Sequence, residues 1–195
     1  MKRTLWTTRA WLALTALAAA LSCGGVSPAK ETAAMSKFTL TSTDFSEGGT
    51  IASAQVHTEC KGQNVSPALK WSGAPAGTKS FALLVHDPDA PTGSGWWHWV
   101  AYNIPAGTTS LVAGAGDSKK KLMPAGATQG RNDEGTTGYG GPCPPPGTPH
   151  HYNFRLYALK VAKLEVPEGA SAAAISFNVR AQALGTAELT GLYGQ

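Results

Sequence analysis

Short runs with strand patterning, each closed by proline–glycine turn chemistry, constrain this chain more than any other feature. Residues 38–41 alternate as a strand does. Phe81-Ala82-Leu83-Leu84-Val85 is a short continuous apolar run, the signature of a strand buried on both faces. Residues 97–104 alternate so as to place His98, Val100, Tyr102 and Ile104 on one face, and residues 152–159 place Tyr152, Phe154, Leu156 and Ala158 together. Residues 159–164 are expected to continue into a further strand. The runs are separated by Pro75-Ala76-Gly77-Thr78, Pro91-Thr92-Gly93-Ser94-Gly95 and Pro105-Ala106-Gly107. No long helical pattern lies between them, which excludes βαβ units.

The only good helical candidate is near the C-terminal end, where Ser171 can cap a helix carrying Ile175, Val179 and Ala183 at four-residue spacing. Residues 113–149 have little periodicity and many glycines; a segment that long is either functional or pinned. The chain has 195 residues, 42% of them hydrophobic and 14% charged, enough apolar material for one packed domain.

The N-terminus reads as an export signal over 1–22: Lys2 and Arg3 precede an apolar stretch, residues 11–21, that is shorter than the ~20 residues of a membrane span. Leu21-Ser22-Cys23 resembles a bacterial lipobox, although Ala20 stands where Leu is preferred. Lipid on Cys23 is the favoured reading, and plain secretion with cleavage after a small residue is the other. Residues 23–37 then form the lipidated cysteine and a polar tether, and 38–195 the folded domain. Of 16 Lys and Arg, removing Lys2, Arg3 and Arg9 leaves 13 against 12 Asp and Glu, so the body carries no footprint for nucleic acid. There are 3 cysteines. Lipid on Cys23 leaves Cys60 and Cys143, a pair that an oxidising compartment would join; two buried free thiols are the alternative.

Three segments bear chemistry. Asp87 and Asp89 sit two apart at a strand end, where capping of turn amides accounts for them as well as a site does. Trp96-Trp97-His98-Trp99 offers an apolar wall with one titratable tip, or a core histidine satisfied by backbone. His150 and Tyr152, two apart at a strand start, can project from one face. Such a set suits a phosphate, with His and Tyr as donors and Asp orienting the imidazoles, or a metal. No HExxH, GxSxG, P-loop or dinucleotide fingerprint is present.

Asp87-Pro88-Asp89-Ala90-Pro91, Trp97-His98-Trp99, Gly140-Gly141-Pro142-Cys143-Pro144-Pro145-Pro146-Gly147 and His150-His151-Tyr152 together resemble the phosphatidylethanolamine-binding protein family, in its bacterial, Raf-kinase-inhibitor-like branch. Residues 64–71, 75–80 and 129–133 are similar to that branch too, and the likeness runs from Phe38 to Tyr193. The resemblance implies an antiparallel Greek-key β-sandwich with small peripheral helices near the C-terminal end. It implies a ligand pocket lined by Asp87, Asp89, His98, His150 and Tyr152, with Gly141, Pro144 and Pro145 at its rim and the Asp groups holding the histidines protonated. It also implies a disulfide between Cys60 and Cys143. The pocket would take a small anion or phospholipid head group, with no cofactor and no catalysis. An inhibitor or regulatory partner of another protein is the alternative, a hydrolase a more distant one, and a homodimer is open. The pattern is broken at His151, where Arg is common, at Glu134, where an aromatic or apolar residue is expected, and at Gln182, where His is frequent.

Overall fold

A computed structural model describes residues 37–195. The signal segment 1–22, Cys23 and the tether, apart from Lys37, lie outside the described residues. The strands are β1 (Thr39–Ser42), β2 (Gly49–Thr50), β3 (Leu69–Ser72), β4 (Ser80–Asp87), β5 (Trp96–Pro105), β6 (Ser110–Leu111), β7 (Thr128–Gln129), β8 (His150–Leu159) and β9 (Ala183–Tyr193), with one α-helix, α1 (Ala172–Gln182). They form a three-stranded sheet in the order β1-β3-β6 and a six-stranded sheet in the order β2-β9-β8-β4-β5-β7. Every pairing of named strands is antiparallel except β2 with β9, so the larger sheet is mixed where an antiparallel one is expected.

The hydrophobic pattern explains the layering. Phe81, Leu83 and Val85 of β4 face a core shared with Leu40, Leu69, Trp71 and Leu111 of the small sheet. Ala82 and Leu84 face the other way, into a second core closed by Ile175 and Val179 of α1. With both faces covered, β4 is apolar from Phe81 to Val85. Tyr152, Phe154, Leu156 and Ala158 of β8 all point into the first core, as alternation predicts. The hydroxyl of Ser171 accepts the Ala174 N–H at 3.2 Å and caps α1.

β5 departs from simple alternation. Its register against β4 slips between Val85 and His86, and between Phe81 and Leu83, where Asn103 takes φ 57°. Each slip is a bulge, and each flips the residues beyond it. Trp99, Ala101 and Ile104 therefore share the first core, while Trp97, Val100 and Tyr102 face the second, and the single face expected for His98, Val100, Tyr102 and Ile104 does not exist. Residues 160–163 are bends and 164 is irregular, not a further strand, and β9, absent from the sequence reading, completes the sheet instead. The long segment 113–149 is pinned along the free edge of β5: Gly130 N–H to Val100 O at 2.8 Å, Asp133 N–H to Trp97 O at 3.0 Å, and Gly140 N–H to His98 O at 2.8 Å.

Candidate functional site

The end of β4, the starts of β5 and β8, and the pinned segment meet around a cavity of about 430 Å³. Asp87, His98, Gly141, Pro144, Pro145, His150 and Tyr152 all line it. The Asp87 carboxylate is buried. Its Oδ1 accepts the N–H groups of Asp89 (2.8 Å) and Ala90 (3.1 Å), and its Oδ2 takes the Nδ1 proton of His150 at 2.7 Å. Turn capping and imidazole orientation are thus served by one carboxylate, and Nε2 is left as the remaining polar atom of the His150 ring. Asp89 is absent from the cavity lining. It faces a neighbouring hollow, where its Oδ2 accepts both the backbone N–H (2.8 Å) and Nδ1 (2.7 Å) of His151. Those hydrogen bonds, the backbone one first, hold its carboxyl below the usual range. Pro88 ends the strand alternation that would have aimed the two carboxylates alike.

The bulge at the start of β5 delivers His98. Its Nδ1 is 2.8 Å from the carbonyl oxygen of Gly140, so Nδ1 carries the proton and donates. Burial outweighs that hydrogen bond and the attraction of Asp87 and lowers its pKa to about 4. The ring is therefore neutral at pH 7, in contrast to the protonated histidines implied by the family resemblance. Among the described residues its Nε2 has no partner, and neither does the Tyr152 hydroxyl, which is buried in the same cavity. The two rings meet edge to face with centroids 5.1 Å apart. Burial holds the Tyr152 phenol protonated, with its pKa well above the ordinary value. Of the tryptophan wall only Trp96 lines the cavity. Trp97 packs against His86 with centroids 4.3 Å apart and planes tilted by 42°, and Trp99 is a core residue whose Nε1 donates to Gln129 at 2.7 Å.

Part of the lining consists of residues that sequence reasoning did not assign to the site. His57, Glu59, Thr136 and Glu134 line it. His57 Nδ1 accepts the Glu59 N–H at 3.3 Å, which leaves Nε2 toward the Glu134 carboxylate, 3.8 Å away. Burial raises the Glu134 pKa, with Glu59 adding to the rise and His57 opposing it. The carboxylate lies over Gly140, where a Cβ would meet Oε1 at 2.2 Å. Gly141 is needed for a similar reason, since its Cβ would lie 2.2 Å from the Gln55 carbonyl oxygen. The Gly141 N–H is already donated to Asn64 Oδ1 at 2.7 Å. Cys60 and Cys143 are disulfide-bonded, Cα–Cα 5.5 Å, tying the rim at Pro144 to the turn that carries His57 and Glu59. No lysine or arginine among the described residues lines the cavity. Among the described residues no cluster of His, Cys, Asp and Glu has the geometry of a metal site.

The phosphatidylethanolamine-binding protein profile matches residues 41–194, and the chain belongs to that family. It is 48% identical over 159 residues to the UPF0098 protein YbcL of Escherichia coli, covering 80% of this chain and 87% of that one. The crystal structure of that protein, described as a new member of the mammalian PEBP family, superposes with a TM-score of 0.79 over 81% of this chain and 98% of its own. A Mycobacterium tuberculosis protein named "Putative lipoprotein LppC" is 40% identical over 156 residues, covering 80% of this chain and 71% of that one.

Proposed function

We propose that the chain is a binding protein of the cell envelope, held there by lipid on Cys23. Its cavity takes a small phosphate-like anion or a phosphoethanolamine-like head group and performs no catalysis. The observation that carries this reading is the pair of unpartnered buried polar atoms, His98 Nε2 and Tyr152 Oη, in one concave site. Buried polar groups are almost always hydrogen-bonded, and each left alone costs about 1–3 kcal/mol. A ligand that reaches both atoms recovers that cost. His150, oriented by Asp87, adds a third contact on the same wall. The Glu134 carboxylate in the same lining supports a ligand that carries an ammonium or hydroxyl donor as well as its anionic end. The relative named as a lipoprotein supports the anchor.

The regulatory alternative uses the same site. An acidic side chain of a partner protein, entering over the exposed proline rim, would present a carboxylate to the same groups.

Calorimetry and histidine-ring NMR with inorganic phosphate and O-phosphoethanolamine test the reading. Saturable binding is expected, weakened about tenfold or more in Tyr152→Phe, the loss of one charge-assisted hydrogen bond. Glu134→Gln should weaken phosphoethanolamine several-fold and leave phosphate equal or tighter. Failure of both ligands to bind the folded protein would remove the reading.

A further inference from the structure

The cavity lies at one end of the larger sheet, where β4 ends at Asp87 and β8 begins at His150. The folded body begins at the other end. Phe38 packs against Phe81, at the start of β4, with ring centroids 6.2 Å apart, and lies beside Gly185, which pairs with Ala158 near the end of β8. Ten residues of β8 separate the two ends, about 30 Å at roughly 3.4 Å per residue.

The end where the body begins has a distinct surface. Lys79 is exposed and donates its backbone N–H to Leu159 O at 2.8 Å; Lys160 is exposed and donates its own to Gln182 O at 3.0 Å. These bonds gather both lysines at the C-terminal end of α1; Arg180, exposed two residues before that end, lines a shallow groove with Arg155 and Glu188. None of the three cations is in an ion pair with a described residue; of the two acidic residues in the adjoining loop, Glu165 is paired with Lys163 at 3.0 Å and Glu168 is exposed beyond it. Leu184 next to them is 41% exposed, and Phe177, one helical turn before Arg180, is 74% exposed. Unpaired cations around exposed apolar side chains are the composition that anionic lipid head groups attract.

We propose that this end, with Lys79, Lys160, Arg180, Leu184 and Phe177, lies against an anionic bilayer surface, so that the cavity opens on the side turned away from that membrane. The inference rests on the lipid anchor of the reading above and not on which anion the cavity takes. Cys23 and Lys37 are 14 residues apart in sequence. Fourteen residues reach roughly 50 Å at most. Length alone therefore permits either end to face the lipid, and the cationic end decides. The ligand then comes from the aqueous phase or from another surface, not from the bilayer that holds the anchor.

The test uses the full-length protein made in a lipoprotein-processing bacterium, its lipid verified by intact mass. It is reconstituted in vesicles of phosphatidylcholine with and without phosphatidylglycerol. Hydrogen exchange read by mass spectrometry should slow about threefold or more at residues 76–79, 160–163 and 180–184 on the anionic vesicles, with residues 144–149 unchanged. The combined Lys79→Glu, Lys160→Glu, Arg180→Glu variant should lose that protection and keep its lipid. A chain without lipid on Cys23 overturns the anchor and this inference with it. A lipidated chain protected at 144–149, or equally at both ends, overturns the inference alone. So does protection that appears without vesicles and grows with protein concentration, which would make a second copy the occupant.

Discussion

At neutral pH His98 offers the cavity a lone pair, because its proton is on Nδ1 and committed to Gly140. A phosphomonoester dianion such as that of O-phosphoethanolamine has no phosphate proton to give, so engaging both Nε2 and the Tyr152 hydroxyl needs one more proton, taken by the ring or by the phosphate, whose second pKa is near 6. Binding should take up a proton, and affinity should fall about tenfold per unit as pH rises above ~7. Calorimetry in buffers of different ionisation enthalpy reads the uptake directly; a flat profile would sink it. The same residue governs acid stability. Its folded pKa of about 4 lies below the unfolded value of 6.5, so the unfolded chain binds the proton more readily. Its contribution is fully present above pH 6.5 and disappears as pH falls toward 4. The full span is on the order of 3 kcal/mol. Urea unfolding at pH 7 and pH 4.5 should show a smaller acid loss in His98→Gln than in the parent chain.

At the level of elements, the walls of the cavity depend on close backbone approach. Gly141→Ala would drive a Cβ into the backbone of residues 55–57 and should cost about 2 kcal/mol or more by overpacking. Ser171→Ala should cost about 1 kcal/mol through the lost cap of α1 and leave ligand binding unchanged. Both are read by denaturant unfolding. β4, β8 and the start of α1 were legible in the sequence because burial on two faces, burial on one face and a capping serine each leave a local pattern. β5 was misread because its bulges break the period, and nothing local announces a bulge. β9 was missed because its core-facing positions include Ala183, Gly185, Ala187 and Gly191, too small to register as an apolar stripe. Most of the cavity was legible through rare motifs that recur in order. Asp89 was misjudged because Pro88 turns the chain between two carboxylates that look equivalent. His57 and Glu134 went unassigned because 77 positions separate partners that meet only in the fold; the break in the family pattern at Glu134 was the one available signal.

Across the whole molecule, the Cys60–Cys143 bond links residues 83 apart and restrains the unfolded chain more than any local contact. In the chain-entropy picture such a link contributes up to about 4–5 kcal/mol. Cys60→Ala with Cys143→Ala should lower the unfolding free energy by several kcal/mol, and should also weaken ligand binding by loosening the rim at Pro144 from the turn bearing His57. Equal affinity in the two forms would separate the rim from the bond. The order of strands has a further consequence. β9 is the last strand in sequence, yet it sits inside the larger sheet, between β2 and β8. Until it arrives, β8 has an open edge and the core residues around Ala187 and Leu189 have no lid. A chain threaded through a translocation pore N-terminus first cannot close this sheet until β9 has crossed. On the export reading proposed above, the larger sheet closes only once the last strand is across.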